Sequence, residues 1–164
     1  MARSLYLMRH AHAEQAAPLG DRLRPLDQLG RDQAAKIGGW LRDAGIQLVL
    51  ASSAARTVQT AAALGLGVPT ESLDALYYGG TGTYLRSVRS LDDAVERALV
   101  VGHNPSVADA VDQLLDETAS DPAALALIAT HFPTATCCEL VFDGSWADLT
   151  TAALVRVLRT KQPK

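Results

Sequence analysis

Short apolar runs alternate with amphipathic segments along the chain, a pattern that is typical of α/β proteins. The run from Ile46 to Ala51 is apolar except for Gln47, as expected of a parallel strand that is covered on both faces. A turn dipeptide at 143–144 precedes the last apolar run and predicts an antiparallel hairpin at the edge of the sheet. The predicted strands are Ser4–Met8, Ile46–Ala51, Ala98–Val101, Ala135–Phe142 and Ala152–Leu158.

Segments with helical spacing connect these strands. Asp27 is the predicted N-cap of a helix in which Ile37 and Leu41 lie on one face. Pro105 suits the first position of a later helix, and Asn104 is its predicted N-cap. Two further helices are predicted over Ala54–Leu64 and Tyr84–Ser90, the second after an irregular segment at 71–83.

Length and composition predict a single domain over residues 1–164. The chain has 48% hydrophobic and 20% charged residues, which is ordinary globular composition. A net charge of -3 argues against a nucleic-acid partner or an anionic membrane surface, because both require a basic face. The N-terminal apolar run is too short for a signal peptide, and no run approaches the ~20 apolar residues of a membrane span. We therefore expect a cytoplasmic protein.

Cationic side chains follow three of the predicted strands. Arg9 and His10 come directly after the first strand, Arg56 follows the second, and His103 and Asn104 follow the third. Ligands of open parallel sheets bind in the crevice at the carboxyl ends of the strands. We therefore expect two arginines and two histidines to surround one spot, although each alone has an ordinary structural explanation.

The position of Arg56 indicates what this spot would bind. If Ser53 caps the following helix, Arg56 falls in its first turn, where the helix dipole disfavours a positive charge. A phosphate would reverse that penalty, because the free backbone N–H groups of a helix start bind anions. Pro105 marks a similar helix start beside His103. The sequence thus predicts an anion pocket.

A metal site is the main alternative explanation of the first strand end. His10 and His12 could hold one metal ion, as in some barrel hydrolases, but such sites need further ligands. Only His103 and His131 remain, and 164 residues are too few for an eight-fold barrel of about 250 residues. No metal site is predicted.

Three segments in the expected order resemble the motifs of the histidine phosphatase superfamily, the phosphoglycerate mutase-like proteins. LMRHA is similar to its L-x-R-H-G/A signature, SSAARTVQTA to its second arginine segment, and VVGHNP to the segment with the second histidine. The small size, the RHA variant, RPL at Arg24–Leu26 and FPTATCCELVFDGSW resemble the short SixA-like branch, which is associated with phosphohistidine phosphatase activity.

This resemblance implies a three-layer α/β/α sandwich with a mostly parallel sheet and an antiparallel edge. It implies that His10 is the nucleophile and forms a phosphohistidine intermediate, while Arg9, Arg56 and His103 hold the phosphoryl oxygens. Asn104 would contribute to substrate binding beside them. Neighbouring guanidinium groups favour the unprotonated form of a nucleophilic histidine. No cofactor is implied, because Arg9, Arg56 and His103, if it is protonated, supply the positive charge.

The chain departs from the family at the general acid. Ala75 stands where larger members have a glutamate, and the adjacent Asp74 is the candidate substitute, unless it only caps a turn. Without a strong acid, an alkyl phosphate is a poor substrate because its alkoxide must be protonated to leave. A phosphohistidine on a protein, such as a histidine phosphotransfer-type domain, is the favoured substrate.

Two other functions stay open at this point. One is a phosphatase for small phosphorylated molecules with the same nucleophile, and the other is a non-catalytic phosphate-binding module. Three nearby side chains also have open roles. His12 either lines the pocket entrance or lies in a solvated loop, and Tyr77 and Tyr78 either border the substrate or pack in the core.

Overall fold

Six strands form one mixed sheet in the computed structural model, which describes residues 2–162. Their bounds are Ala2–Arg9 (β1), Leu48–Ser52 (β2), Thr70–Leu73 (β3), Arg97–Gly102 (β4), Cys137–Asp143 (β5) and Ala153–Leu158 (β6). The strand order is β3-β2-β4-β1-β5-β6. Strands β1, β2, β3 and β4 pair in parallel, while β5 runs antiparallel to β1 and β6. The predicted mostly parallel sheet with antiparallel pairing on one side is confirmed.

Helices cover both faces of this sheet. Among the described residues they are Gln28–Leu41 (α1), Ala55–Ala63 (α2), Asp74–Tyr78 (α3), Thr81–Arg89 (α4), Ser106–Leu114 (α5) and Pro122–Ile128 (α6), with a short 3₁₀ helix at Asp21–Leu23. No helix in the described part of the chain has the length and apolar character needed to cross a membrane.

The strands bury side chains on both faces, which explains their apolar runs. Tyr6 and Met8 of β1 pack in one apolar cluster with α1 and α2. Leu5 and Leu7 of the same strand pack in the other cluster, with α3, α4, α5 and α6. Successive strand residues point to opposite faces, so a strand with two covered faces reads as a continuous apolar run. The three-layer α/β/α sandwich is confirmed.

Several local predictions differ from the structure in informative ways. Asp27 caps α1 as predicted, because its side chain accepts a hydrogen bond from the Gly30 amide. The segment at 71–83 is not irregular, since it contains part of β3, all of α3 and the start of α4. Strand β3 has no apolar run because it lies at the sheet edge and most of its residues are exposed. Helix α6 was also not predicted.

Gly102, the last residue of β4, packs closely against the Tyr84 ring. A Cβ atom at Gly102 would overlap the ring of Tyr84, whose hydroxyl accepts a hydrogen bond from the His103 amide and donates one to the Leu76 carbonyl. We expect Gly102→Ala to destabilise the protein by about 1–3 kcal/mol, because a well-packed core resists added volume.

Urea unfolding measures this change. Gly39→Ala is the matched control, since a Cβ atom there meets no atom within 4 Å on α1. The control is expected to raise the free energy of unfolding by up to about 1 kcal/mol, because alanine has the higher helix propensity. Equal effects of the two variants would contradict the role of the Gly102–Tyr84 contact.

Candidate active site

The carboxyl ends of β1, β2 and β4 bring the predicted cationic residues together. These strands are parallel neighbours, so the residues that follow them lie at one edge of the sheet. The rings of His10 and His103 are 5.4 Å apart between centroids. Arg56 Nη2 lies 3.3 Å from His103 Nδ1. With Arg9 and Asn104, these side chains line a pocket of about 610 Å³.

His10 lies at the floor of this pocket and presents one free ring nitrogen. Its amide donates to the Gly102 carbonyl, and its Nδ1 lies 2.7 Å from the Ala11 carbonyl oxygen. A carbonyl oxygen only accepts hydrogen bonds, so Nδ1 carries the proton and Nε2 keeps its lone pair. Burial, the neighbouring His103 ring and the two arginines together lower the pKa of His10 to about 3. His10 is therefore neutral at pH 7.

His103 is held between a hydroxyl group and a guanidinium group. Because Arg56 can only donate, His103 Nδ1 accepts from it and the ring proton lies on Nε2, which donates to Ser52 Oγ at 2.8 Å. Burial and the Arg56 charge lower the pKa of His103 to about 4. His103 is therefore neutral at pH 7 rather than protonated, and Arg9 and Arg56 are cationic groups of the pocket.

Arg56 is positioned by the first turn of α2. The N-cap of this helix is Ala54 rather than the predicted Ser53, and no side chain caps it. The hydroxyl of Ser53 instead accepts a hydrogen bond from Arg22. Arg56 is the second residue of a helix whose start has no side-chain cap, and it lies buried. This arrangement favours an anion.

Arg9 and Asn104 share one backbone acceptor. Arg9 Nη1 and the Asn104 side-chain amide donate to the Phe132 carbonyl at 3.0 and 3.1 Å. The prediction of Asn104 as N-cap of α5 is wrong by one residue, because Pro105 takes that position, although Asn104 Oδ1 accepts from the Ala108 amide. Within residues 2–162, Nε of Arg9 and of Arg56 is buried without a hydrogen-bond partner. Incompletely paired buried cations favour an added anion.

Asp21 lies at the mouth of the pocket and was not foreseen from the sequence. Its Oδ2 accepts from Arg56 Nη2 at 3.2 Å and from the Tyr77 hydroxyl at 2.8 Å, and its Oδ1 accepts from Arg24 Nε at 3.1 Å. The Tyr77 hydrogen bond and the Arg56 charge lower the pKa of Asp21 to about 2. No local signal marks Asp21, because its partners Arg56 and Tyr77 are distant in sequence.

Comparison with known proteins agrees with this geometry. A family model described as the histidine phosphatase superfamily (branch 1) matches residues 5–78. The solved structure of a candidate phosphohistidine phosphatase SixA from Nakamurella multipartitia is 33% identical, with a TM-score of 0.84 over 97% of this chain and 96% of that one. The chain belongs to the histidine phosphatase superfamily. Within it, the chain lies in the SixA-like branch, as the motifs predicted.

Two further relatives match most of the chain. The structure of a protein histidine phosphatase SixA complexed with tungstate is 26% identical, with a TM-score of 0.77 over 95% of this chain and 96% of that one. An uncharacterized protein of Mycobacterium tuberculosis is 35% identical over 144 residues, which are 87% of this chain and 91% of the relative. The likeness thus extends well beyond the segment that the family model matches.

The predicted acid of this histidine phosphatase lies away from the pocket lining. Asp74 begins α3, its side chain is 68% exposed, and its Oδ1 lies 2.5 Å from Arg22 Nη2. The hydrogen bond with Ser53 and the Arg22 charge lower the pKa of Asp74. Asp74 is therefore ionised at pH 7 and has no proton to donate. The structure does not support Asp74 as the general acid.

The remaining predicted side chains divide between pocket and surface. Tyr77 and Tyr78 line the pocket mouth, where Tyr78 is 72% exposed, so neither packs in the core. His12 lies outside the lining residues and is half-buried, with Nδ1 against Asp27 Oδ2. Among residues 2–162, no three His, Cys, Asp or Glu side chains are grouped so that they could hold a metal ion.

The lowered histidine pKa values predict an acid-sensitive fold. The unfolded chain protonates a histidine near pH 6.5, whereas folded His10 and His103 do so only near pH 3 and 4. Between these values the unfolded state binds more protons, so the stability that is present above pH 6.5 is lost as the pH falls. Each histidine contributes up to about 1.4 kcal/mol per pH unit.

Urea unfolding at pH 7.5 and pH 5 measures this linkage. His10→Asn is expected to flatten the decline in the free energy of unfolding, because one buried imidazole no longer resists protonation. The control is His131→Asn, which changes an exposed histidine outside the pocket. The prediction is wrong if both variants lose stability with the slope of the wild type.

Proposed function

We propose that the protein is a metal-independent phosphatase that takes the phosphoryl group of a protein phosphohistidine onto His10 and then transfers it to water. The observation that carries this proposal is the neutral His10 ring, which keeps the lone pair of Nε2 and lines a pocket together with Arg9, Arg56 and His103. The nucleophile needs that lone pair, and the guanidinium groups stabilise the charge that spreads over the phosphoryl oxygens.

The protonation states of the pocket residues support a substrate whose phosphoryl group is bound to nitrogen. Asp21 is ionised, Asp74 lies outside the lining residues, and both pocket histidines are neutral at pH 7. An alkoxide leaving group needs a proton from such an acid. A phosphohistidine or an acyl phosphate leaves more readily, so the acid is dispensable for these substrates.

The mouth of the pocket supports a protein substrate. Tyr78 lines it and exposes 72% of its surface, although it is a large aromatic residue. The Arg22 guanidinium lies over the Tyr77 and Tyr78 rings, 5.7 and 5.9 Å from their centroids. Exposed apolar side chains with arginine and tyrosine are typical of protein contact surfaces. A histidine phosphotransfer-type domain is the kind of partner that this mouth could receive.

The relatives point to the same substrate class. The SixA structure from Nakamurella multipartitia is described as that of a candidate phosphohistidine phosphatase, and another SixA structure as that of a protein histidine phosphatase with tungstate. Tungstate is a tetrahedral oxyanion, like phosphate. By likeness, the pocket of this chain would hold the phosphoryl group with Arg9, Arg56, His103 and Asn104.

The pocket volume favours a second candidate function. About 610 Å³ is enough for a small phosphorylated molecule, since ligand pockets commonly measure about 300–1,000 Å³. Comparing kcat/KM for a phosphohistidine-bearing domain with kcat/KM for sugar and nucleotide phosphates separates the two functions. We expect the phosphohistidine domain to be turned over at least about tenfold better. Preference for the small phosphates would favour the second function, and binding of phosphate without turnover of any substrate would indicate a non-catalytic module.

A further inference from the structure

The depth of the side chains gives the pocket a floor and a rim. His10 is 9% exposed and lies at the floor, whereas the Asp21 side chain is 54% exposed and lies at the rim. In phosphoryl transfer the attacking and leaving atoms are roughly in line through phosphorus. With His10 as the attacking group, the leaving group must therefore depart toward the rim, on the side of Asp21.

Asp21 has an acceptor position left for such a leaving group. An ionised carboxylate has about four lone-pair directions. Arg56 and Tyr77 use two on Oδ2, and Arg24 uses one on Oδ1. The remaining direction lies on Oδ1, in a side chain that is half open to solvent. This oxygen can accept a hydrogen bond from an N–H group, but it has no proton to donate.

We propose that Asp21 selects nitrogen-borne phosphoryl groups by accepting a hydrogen bond from the N–H group of the leaving imidazole ring. This inference rests on the proposed function and adds to it the residue that distinguishes a phosphohistidine from a phosphate ester. The carboxylate favours the cationic form of the substrate ring, in which the nitrogen that does not carry phosphorus is protonated.

The proposed step balances without an acid from the protein. The lone pair of His10 Nε2 forms a bond to phosphorus while the bond from phosphorus to the substrate nitrogen breaks. The electron pair of that bond returns to the substrate ring, which leaves as a neutral imidazole because its other nitrogen keeps its proton, hydrogen-bonded to Asp21. Water then attacks the phosphoryl group on His10 and releases inorganic phosphate.

The same carboxylate opposes ester cleavage. An alkyl ester leaves as an anionic oxygen, which would develop at the rim next to an ionised Asp21. The Tyr77 hydrogen bond, the Arg56 charge and the Arg24 hydrogen bond hold the pKa of Asp21 at about 2, so it carries no proton for that oxygen. Discrimination would thus come from attraction to an imidazolium ring and repulsion of an alkoxide.

A purely structural role of Asp21 makes a different prediction. In that case the contact with Arg56 would serve only to hold the guanidinium group in place. Arg56 would then contact the phosphoryl oxygens of every substrate in the same way. Loss of the carboxylate would then change kcat/KM for all substrates by one common factor. Selection of the leaving group requires that the ratio between substrate classes change.

Asp21→Asn tests the proposal, because it keeps the shape of the side chain and removes its charge. The substrates are a peptide with one phosphohistidine and p-nitrophenyl phosphate, whose aryl oxide leaves without protonation. We expect kcat/KM for the phosphohistidine peptide, divided by kcat/KM for the aryl phosphate, to fall by about tenfold or more, as for loss of a charge-assisted hydrogen bond. Asp43→Asn is the control, because Asp43 is exposed and lies outside the lining residues.

The pH profile supplies a second readout. In the wild type, kcat for the phosphohistidine peptide should fall as the pH rises, because the bound substrate ring then loses its proton. In Asp21→Asn this fall should begin at a lower pH, because the carboxylate no longer favours the cationic ring. An unchanged substrate ratio together with an unchanged pH profile would overturn the proposal. If the wild type turns over only phosphate esters, the proposed function itself fails, which is a distinguishable result.

Discussion

Replacing His10 with alanine is expected to abolish the phosphoenzyme and to lower kcat by about 10⁴-fold or more, the scale observed when a covalent nucleophile is removed. His10 is the only described pocket residue with a free imidazole lone pair, because His103 uses Nδ1 to accept from Arg56 and donates through Nε2. No other described lining residue could replace it as a neutral nitrogen nucleophile.

Rapid quenching during turnover of an activated aryl phosphate measures this effect. The label should be stable in alkali and labile in acid, as phosphohistidine is, and peptide mass spectrometry should locate it at His10. The control is His131→Ala, which removes an exposed imidazole outside the pocket. A label that persists in His10→Ala, or that maps to His103 or to a carboxylate, would contradict the assigned nucleophile.

Arg56→Ala is expected to lower kcat/KM by about 10²–10³-fold for phosphohistidine and ester substrates alike. Each charged donor aimed at a developing negative charge contributes about this much, and Arg56 is a buried cation at a helix N-terminus. Arg56→Lys should recover only part of the loss, because an ammonium group keeps the charge without the planar fork that binds two oxygens.

Steady-state kinetics with both substrate classes measures the loss. Arg42→Ala provides the matched control, because Arg42 is exposed at the end of α1 and lies outside the lining residues. Thermal unfolding should accompany the assay, since Arg56 also holds Asp21 and the backbone carbonyl of residue 21. A loss below about tenfold in a folded Arg56→Ala variant would remove Arg56 from the proposed machinery.

The expectations for the Arg56 and Asp21 variants separate binding of the phosphoryl group from recognition of the leaving group. Arg56 lies deep, beside His103, and its loss should lower kcat/KM for both substrate classes. Asp21 lies at the rim, and its loss should act mainly on the ratio between substrate classes. Measuring both variants on the same two substrates therefore assigns the floor and the rim of the pocket to different tasks.

The apolar runs predicted five of the six strands, and the residues that follow them predicted the cationic centre of the site. Buried parallel strands read as apolar runs, and the residue types that follow them are visible without a structure. Arg9, His10, Arg56 and His103 could therefore be placed at one sheet edge, since the carboxyl ends of parallel strands meet there. The three family motifs led to the same residues.

The charge states and the residues at the rim could not be read from the chain, because they depend on contacts that form on folding. Asp21 reaches Arg56 across 35 sequence positions and Tyr77 across 56, so no local pattern marks it. The neutral state of His103 depends on burial and on a neighbouring guanidinium group. The sequence gives neither the burial nor the distance between the two side chains. Asp74 has a suitable chemical group and a suitable position in the chain, but its side chain pairs with Arg22 on the surface. Protonation and access are set by contacts between distant segments, and these exist only once the chain has folded.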